Sequence, residues 1–251
     1  MIKKTIRNII GITGYKVVKQ ISNFDSCMDR DDEMFNRIYE KCNEYSMTSK
    51  ERKYALYQAV KYIVNNNIKG DFVECGVWRG GSCMIIAETL KEMKELNRKI
   101  YVYDTFNGMA KPTEEDYRLS DGYCAIKSWE DYKTKYPEGW VCISLEEVKR
   151  NILSTDYPKE NIIFVKGKVE DTIPKIIPKE IALLRLDTDW YESTKKELDI
   201  LFPKVVKDGI IIVDDYYTWQ GAKIATDEFI SKNKNKIKII KSDRFKFIKV
   251  V

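Results

Sequence analysis

Short, almost continuous hydrophobic runs alternate with helical stretches from residue 70 onward. The apolar runs predict five strands, at residues 71–75, 100–103, 162–165, 181–186 and 209–213. Residues 51–67 and 82–96 repeat apolar side chains at the spacing of a helix that lies on a core. Apolar runs without polar alternation are typical of parallel strands buried on both faces. The sequence therefore predicts an α/β fold, a mostly parallel twisted sheet with helices on both faces.

Both ends of the chain depart from this alternation. Residues 236–241 and 245–250 flank a short polar turn and predict a C-terminal antiparallel hairpin that closes the sheet. Residues 1–24 mix apolar and basic side chains and predict a basic amphipathic arm. We expect this arm to pack on its own domain or on a second subunit, in a homo-oligomer, in preference to an anionic membrane surface. We place the boundary between the N-terminal region, 1–45, and the main domain, 46–251.

Residues 105–150 do not fit the alternation of strands and helices. They begin directly after the second predicted strand, at the edge where α/β sheets bind ligands, and contain scattered glycines, prolines, aromatic residues and acids. A long insertion in a compact domain is usually functional. We predict a substrate lid here, with a simple surface excursion as the alternative.

The composition of the chain excludes several kinds of partner and catalytic site. The chain of 251 residues carries a net charge of +5, and the arm alone holds five basic and no acidic residues, so the remainder is neutral and no nucleic-acid partner is expected. No histidine is present, which excludes histidine bases, histidine metal ligands and Ser-His-Asp triads. The six cysteines form no C-x-x-C pair and predict free thiols in a reducing, cytoplasmic compartment. No run predicts a transmembrane segment.

The first strand runs into a glycine-rich turn and then a helix. The segment 74–82 reads Glu-Cys-Gly-Val-Trp-Arg-Gly-Gly-Ser, and its glycine spacing differs from that of a pyrophosphate cradle. Glu74 at the strand end suits a ligand that carries positive charge. The second strand ends at Asp104, an acid at the position that commonly accepts hydrogen bonds from ribose hydroxyls; a simple cap is the alternative.

Two later strands each end in a pair of carboxylates. Asp187 and Asp189 follow one strand, and Asp214 and Asp215 follow the next. Neighbouring parallel strands would crowd these four acids at one sheet edge, where like charges raise one another's pKa or require a cation. Ligand sets made of oxygen alone favour Mg²⁺, Mn²⁺ or Ca²⁺. Strand alternation further predicts that Asp187 and Asp189 point to the same side.

Read together, four segments resemble the macrocin O-methyltransferase family. They are residues 74–82, 103–109, 186–194 and 213–216, and the resemblance extends from about residue 45 to residue 247. It implies a Rossmann-like class I methyltransferase that uses S-adenosylmethionine and a divalent ion, Mg²⁺ or Mn²⁺, to methylate a hydroxyl of a sugar or a glycosylated small molecule.

The resemblance also implies roles for individual residues. Glu74, Gly76 and Ser82 are expected at the amino acid part of the cofactor, and Asp104 at its ribose. Gly167 and Glu170 are expected at the adenine, and Thr48 lies in a segment that closes over the cofactor. The expected metal ligands are Asp187, Asp214 and Asp215. Asp189 matches the general base.

Three other interpretations compete with this one. Asp187-Thr188-Asp189 is also an Asp-x-Asp motif, which in a nucleotide-sugar glycosyltransferase holds Mn²⁺ against a diphosphate. A catechol-type methyltransferase with a phenolic acceptor is the nearest rival within the same class. A non-catalytic scaffold or carbohydrate-binding subunit would retain the fold without needing all four acids.

Overall fold

A computed structural model of the protein describes residues 31–135, 140–240 and 244–251. The arm predicted over residues 1–24 lies outside the described residues. Its contacts, and the homo-oligomer expected from it, stay predictions.

A seven-stranded sheet forms the centre of the molecule, with the order β3-β2-β1-β4-β5-β7-β6. The strands are β1 (Asp71–Cys75), β2 (Ile100–Asp104), β3 (Ile162–Lys166), β4 (Ile181–Leu186), β5 (Val205–Val213), β6 (Ile237–Ile240) and β7 (Lys246–Val250). The first five pair in parallel, and β7 pairs antiparallel with both β5 and β6. The predicted fold class is therefore confirmed, including the C-terminal hairpin. The order of the strands reverses between β1 and β4, which is where such sheets bind ligands.

Helices cover both faces of this sheet. They are α1 (Glu33–Cys42), α2 (Lys50–Asn65), α3 (Gly81–Glu92), α4 (Ala125–Lys135), α5 (Leu145–Leu153), α6 (Val169–Thr172), α7 (Tyr191–Leu201) and α8 (Gln220–Asn233). Successive strand residues face opposite layers: Phe72 packs with α1, α2 and α3, whereas Val73 packs with α7 and α8. Two apolar cores on one sheet explain why the strands show no polar alternation.

Two predicted boundaries differ from the structure for local reasons. Strand β5 begins at Val205 and not at residue 209; after the buried Val205, residues 206–208 are partly or fully exposed, so this part of the strand lacks the continuous apolar run by which the sequence indicated a strand. Helix α3 ends at Glu92 and not at residue 96. Lys94 has a left-handed backbone, with φ of 59°, and Leu96 is 42% exposed, so the apolar spacing there does not reflect burial.

The proposed boundary between residues 45 and 46 stays a prediction, since most of the N-terminal region is outside the described residues. Its described part, α1, packs in the same core as α2 and α3 through Phe35, Ile38 and Cys42. The inserted segment 105–150 contains α4 and also the start of α5. Val148 of α5 is buried in the main core, so this end of the segment belongs to the body of the domain.

The described cysteines form no disulfide. No described helix combines the length and apolar character that crossing a membrane requires. The cytoplasmic location stays a prediction.

Candidate active site

A cavity of about 410 Å³ opens at the carboxyl edge of the parallel strands. Its volume lies within the range of small-molecule sites. All residues singled out in the sequence line it: Thr48, Glu74, Gly76, Ser82, Asp104, Gly167, Glu170, Asp187, Asp189, Asp214 and Asp215. The fold thus brings together the ends of five strands, although it does not by itself assign a role to each residue.

The glycine-rich turn after β1 brings its backbone against the loop after β4. Gly76 has φ of 79°, and a Cβ atom there would lie 2.0 Å from the carbonyl oxygen of Asp187. No other residue fits this contact without a shift of the backbone. Gly80, with φ of 90°, caps the start of α3, so the N-terminus of that helix faces the cavity beside Ser82.

A buried arginine that the sequence analysis missed binds three of the predicted acids. The Arg185 guanidinium is almost fully buried; its Nη1 lies 2.6 Å from Glu74 Oε1 and 2.8 Å from Asp187 Oδ2. Its Nη2 lies 2.9 Å from Asp214 Oδ1. A lone arginine inside the run Leu184-Arg185-Leu186 was the available signal, because a buried charge needs partners of opposite charge.

Glu74 is therefore not an isolated negative charge. It also accepts from the Cys83 thiol at 3.2 Å, and burial raises its pKa to about 7 although Arg185 opposes this shift. Asp214 is bound on both oxygens, because Arg52 Nη1 lies 2.6 Å from its Oδ2. Arg52 stands in the first turn of α2, so it connects the segment that contains Thr48 to the end of β5.

Asp189 and Asp215 form no ion pair with any described residue. Burial, together with the charge of Asp187, raises the pKa of Asp189 to about 7. Burial and the neighbouring carboxylates raise the pKa of Asp215 well above its usual range. The predicted strand alternation of Asp187 and Asp189 is wrong, because β4 ends at Leu186 and Asp189 has φ of 66°. Both residues reach the cavity from a turn.

The predicted metal ligands lie together. Asp187, Asp214 and Asp215 each place a carboxylate oxygen within 4.8 Å of the other two, and Asp215 Oδ2 is buried with no partner among the described residues. A donor set of carboxylates alone, with an unpaired buried oxygen, fits a hard cation such as Mg²⁺ or Mn²⁺.

Asp104 has the hydrogen bonds of a capping residue, the alternative to ribose binding that the sequence left open. Its two oxygens accept the backbone N–H groups of Val77 and Phe106, both at 2.8 Å. It therefore fixes the turns that follow β1 and β2. Each carboxylate oxygen can accept a second hydrogen bond, so a contact with a ligand is compatible with this structural role.

The inserted segment contributes Trp140 to an aromatic wall of the cavity, and Trp190 and Trp219 complete this wall from positions just before α7 and α8. Trp140 lies 6.0 Å from Trp190, and Trp190 packs edge-to-face at 5.0 Å on Trp219. The Trp190 indole N–H donates to the Ala110 carbonyl at 2.9 Å, which attaches the segment to the loop that carries Asp189. Whether this segment moves as a lid stays a prediction.

Asp116 provides a second attachment. It is fully buried, and its Oδ1 accepts the Tyr191 N–H at the start of α7 at 2.8 Å. The inserted segment is therefore anchored immediately after the predicted base.

Comparison with known proteins gives this architecture a family. Residues 24–247 match the family described as Macrocin-O-methyltransferase (TylF). The chain belongs to this family. It is an O-methyltransferase of the S-adenosylmethionine-dependent type, as the resemblance implied, and the glycosyltransferase and non-catalytic interpretations are set aside.

Curated relatives agree with the family match. The chain is 35% identical over 190 residues to demethyldecarbamoylnovobiocin O-methyltransferase of Streptomyces niveus, covering 76% of this chain and 69% of that protein. It is 28% identical over 200 residues to mycinamicin III 3''-O-methyltransferase of Micromonospora griseorubida, covering 80% and 76%.

A solved structure of the O-methyltransferase NovP superposes with a TM-score of 0.69 at 32% identity, over 82% of this chain and 81% of that one. The calicheamicin methyltransferase CalS11, at 18% identity and a TM-score of 0.56, shares the fold; the match covers 94% of this chain and 98% of that one.

Proposed function

We propose that this O-methyltransferase transfers the methyl group of S-adenosylmethionine to a hydroxyl of a sugar, free or within a glycosylated small molecule, with a divalent cation and Asp189 as the general base. The observation that carries the proposal is the arrangement at one edge of the cavity. Asp189 stands beside three acids suited to a hard cation, in a cavity that Glu74 and an aromatic wall also line.

The cofactor would extend across the ends of β1, β2 and β3. Glu74 and the N-terminus of α3 suit the charged amino acid part, Asp104 the ribose, and Gly167 and Glu170 the adenine. S-adenosylmethionine supplies an electrophilic methyl group on a sulfonium. The unpaired oxygen of Glu170 and the close backbone contact at Gly76 are the local features that fit such a ligand.

Asp187, Asp214 and Asp215 would hold the cation, Mg²⁺ or Mn²⁺. A bound divalent cation supplies Lewis acidity that lowers the cost of ionising a hydroxyl and orients it. Asp189 lines the cavity, where it would accept the proton of the acceptor hydroxyl while the hydroxyl oxygen bonds to the methyl carbon. The carbon–sulfur bond breaks with its electron pair on sulfur, so the products are the methyl ether and S-adenosylhomocysteine.

The aromatic wall would receive the acceptor. Trp140, Trp190 and Trp219 offer apolar faces beside Asp189, and such faces pack on the C–H side of a sugar ring and exclude water. They also suit a phenolic ring. The name of another relative, from Streptomyces olivaceus, supports the sugar: it is 8-demethyl-8-(2,3-dimethoxy-alpha-L-rhamnosyl)-tetracenomycin-C 4'-O-methyltransferase, 27% identical over 217 residues, which cover 86% of this chain and 78% of that protein.

Methyl transfer to a panel of acceptors tests this proposal. The panel pairs glycosides with their aglycones and includes simple catechols, and product is measured by mass spectrometry with S-adenosylmethionine and Mg²⁺. Methylation of glycosides and not of the matched aglycones is the expected result. Methylation of catechols alone would replace the sugar with a phenolic acceptor.

A further inference from the structure

A hydrogen bond joins Ser193 and Glu170, two residues that line the cavity. Ser193 stands in the first turn of α7 and is 3% exposed. Its hydroxyl donates to Glu170 Oε1 at 2.6 Å. The proposed methyl transfer uses neither group directly.

The other oxygen of Glu170 has no donor. Glu170 Oε2 is buried and has no hydrogen-bond partner among the described residues, although Glu170 lines the cavity. A buried acceptor that stays unpaired costs free energy, so such atoms normally meet a donor from water or a ligand. The geometry therefore indicates that a bound molecule places an N–H or O–H group at this oxygen.

A second carboxylate, on the helix that carries Ser193, shows the contrast. Glu197 is fully buried, accepts the Thr188 hydroxyl at 3.1 and 3.2 Å, and does not line the cavity. Its partner lies within the protein. Glu170 lines the cavity and has one oxygen fixed by the protein and the other without a partner among the described residues, which is the arrangement of a recognition group.

We propose that Ser193 is a positioning residue, which holds the Glu170 carboxylate so that its free oxygen accepts a hydrogen bond from the 6-amino group of adenine. This inference rests on the proposed placement of the cofactor. Glu170 follows β3, the strand farthest from the acid cluster, and the adenine amino group is the nitrogen donor at that end of the cofactor. Ser193 also lies in the first turn of the helix that follows Asp189, so this helix turn links Glu170 to the loop that carries the proposed base.

Binding of two ligands tests the inference without requiring turnover. The probes are S-adenosylhomocysteine and its analogue in which hydrogen replaces the adenine 6-amino group, and their dissociation constants are measured by calorimetry. Wild type, Ser193→Ala, Glu170→Ala and the double variant form a double-mutant cycle. Ser144→Ala is the control, because Ser144 caps α5 and does not line the cavity.

Wild type is expected to prefer S-adenosylhomocysteine over the analogue by about tenfold or more, the range of a hydrogen bond to a charged acceptor. Ser193→Ala lowers this preference several-fold, Glu170→Ala removes it, and Ser193→Ala has no further effect once Glu170 is absent. The Ser144→Ala control retains the wild-type preference.

Other results would overturn the inference in distinguishable ways. If Glu170→Ala removes the preference and Ser193→Ala leaves it intact, Ser193 does not position Glu170. If Ser193→Ala costs the same affinity with and without Glu170, Ser193 acts directly on the ligand. Equal affinity of wild type for the two ligands would contradict adenine recognition by Glu170 while leaving the cofactor class intact. No binding of either ligand would contradict the proposed cofactor site as well.

Discussion

The acids at the carboxyl edge of the sheet fall into two groups. Glu74, Asp187 and Asp214 share the buried guanidinium of Arg185, whereas Asp189 and Asp215 form no ion pair with a described residue. The first group is electrostatically compensated before any ligand binds. The second group has no such cation, and one oxygen of Asp215 has no hydrogen-bond partner among the described residues. Acids of one type at one edge thus separate into a fixed framework and a pair available for ligand and proton.

The largest effect is expected from removal of the Arg185 guanidinium, which the three framework acids share. Arg185→Gln leaves three buried carboxylates without their common partner, and breaking a buried ion pair in this way costs about 3–5 kcal/mol. We expect the free energy of unfolding in urea to fall by that amount and binding of S-adenosylhomocysteine to be lost. Arg118→Gln is the control, since its ion pair with Asp121 is on the surface. A stable Arg185→Gln protein that binds ligand normally would contradict the framework role.

For Asp189, which forms no ion pair with a described residue, we expect the opposite behaviour: a loss of turnover without loss of S-adenosylhomocysteine binding. Asp189→Asn retains the shape of the side chain but cannot accept the proton, so turnover should fall by about 10²–10⁴. Affinity for S-adenosylhomocysteine should stay within about threefold of wild type, well below the effect of one lost hydrogen bond to a charged group. Asp199→Asn, an exposed change on α7, should alter neither quantity. Near-normal turnover of Asp189→Asn would eliminate it as the base.

The framework also depends on one glycine. Gly76→Ala would place a Cβ atom 2.0 Å from the Asp187 carbonyl oxygen and should cost about 1–3 kcal/mol of stability, the range of overpacking. Gly122→Ala is the matched control, because Gly122 also has a positive φ, 70°, but no atom lies within 4 Å of an added Cβ. The difference in melting temperature between the two variants isolates the contact. Equal effects would show that only backbone strain is involved.

A smaller effect is expected at the outer arginine. Arg52→Gln removes the ion pair to Asp214 Oδ2, but Arg185 still binds the other oxygen. Because the Arg52 side chain is 22% exposed, the loss should be about 1 kcal/mol, near the value of one ordinary hydrogen bond. Urea denaturation of Arg52→Gln and Arg185→Gln under the same conditions measures the loss of unfolding free energy in each variant. If Arg52→Gln lost more stability than Arg185→Gln, Arg52 and not Arg185 would be the main positive charge that stabilises these acids.

Periodicity predicted most of the fold, because strands buried on both faces and helices on a core leave regular apolar patterns. It could not predict side-chain pairing across the sheet. Arg185 looked like an interruption in an apolar run, yet it meets Glu74 from another strand. The double-acid strand ends correctly indicated a cluster, but the backbone turn at Asp189 depends on the loop and not on strand alternation. Ser193 gave no signal, because its partner Glu170 is 23 residues away.

Cation binding by the acid cluster tests the central claim most directly. Mn²⁺ is titrated by calorimetry into chelator-treated wild type and Asp215→Asn, each saturated with S-adenosylhomocysteine. We predict one site in each wild-type chain and affinity at least about tenfold weaker in Asp215→Asn, since loss of an outer-shell partner alone commonly costs that much. Absence of a site in wild type, or equal affinity in the two proteins, would contradict the account, in which Asp215 binds the cation together with Asp187 and Asp214 of the framework.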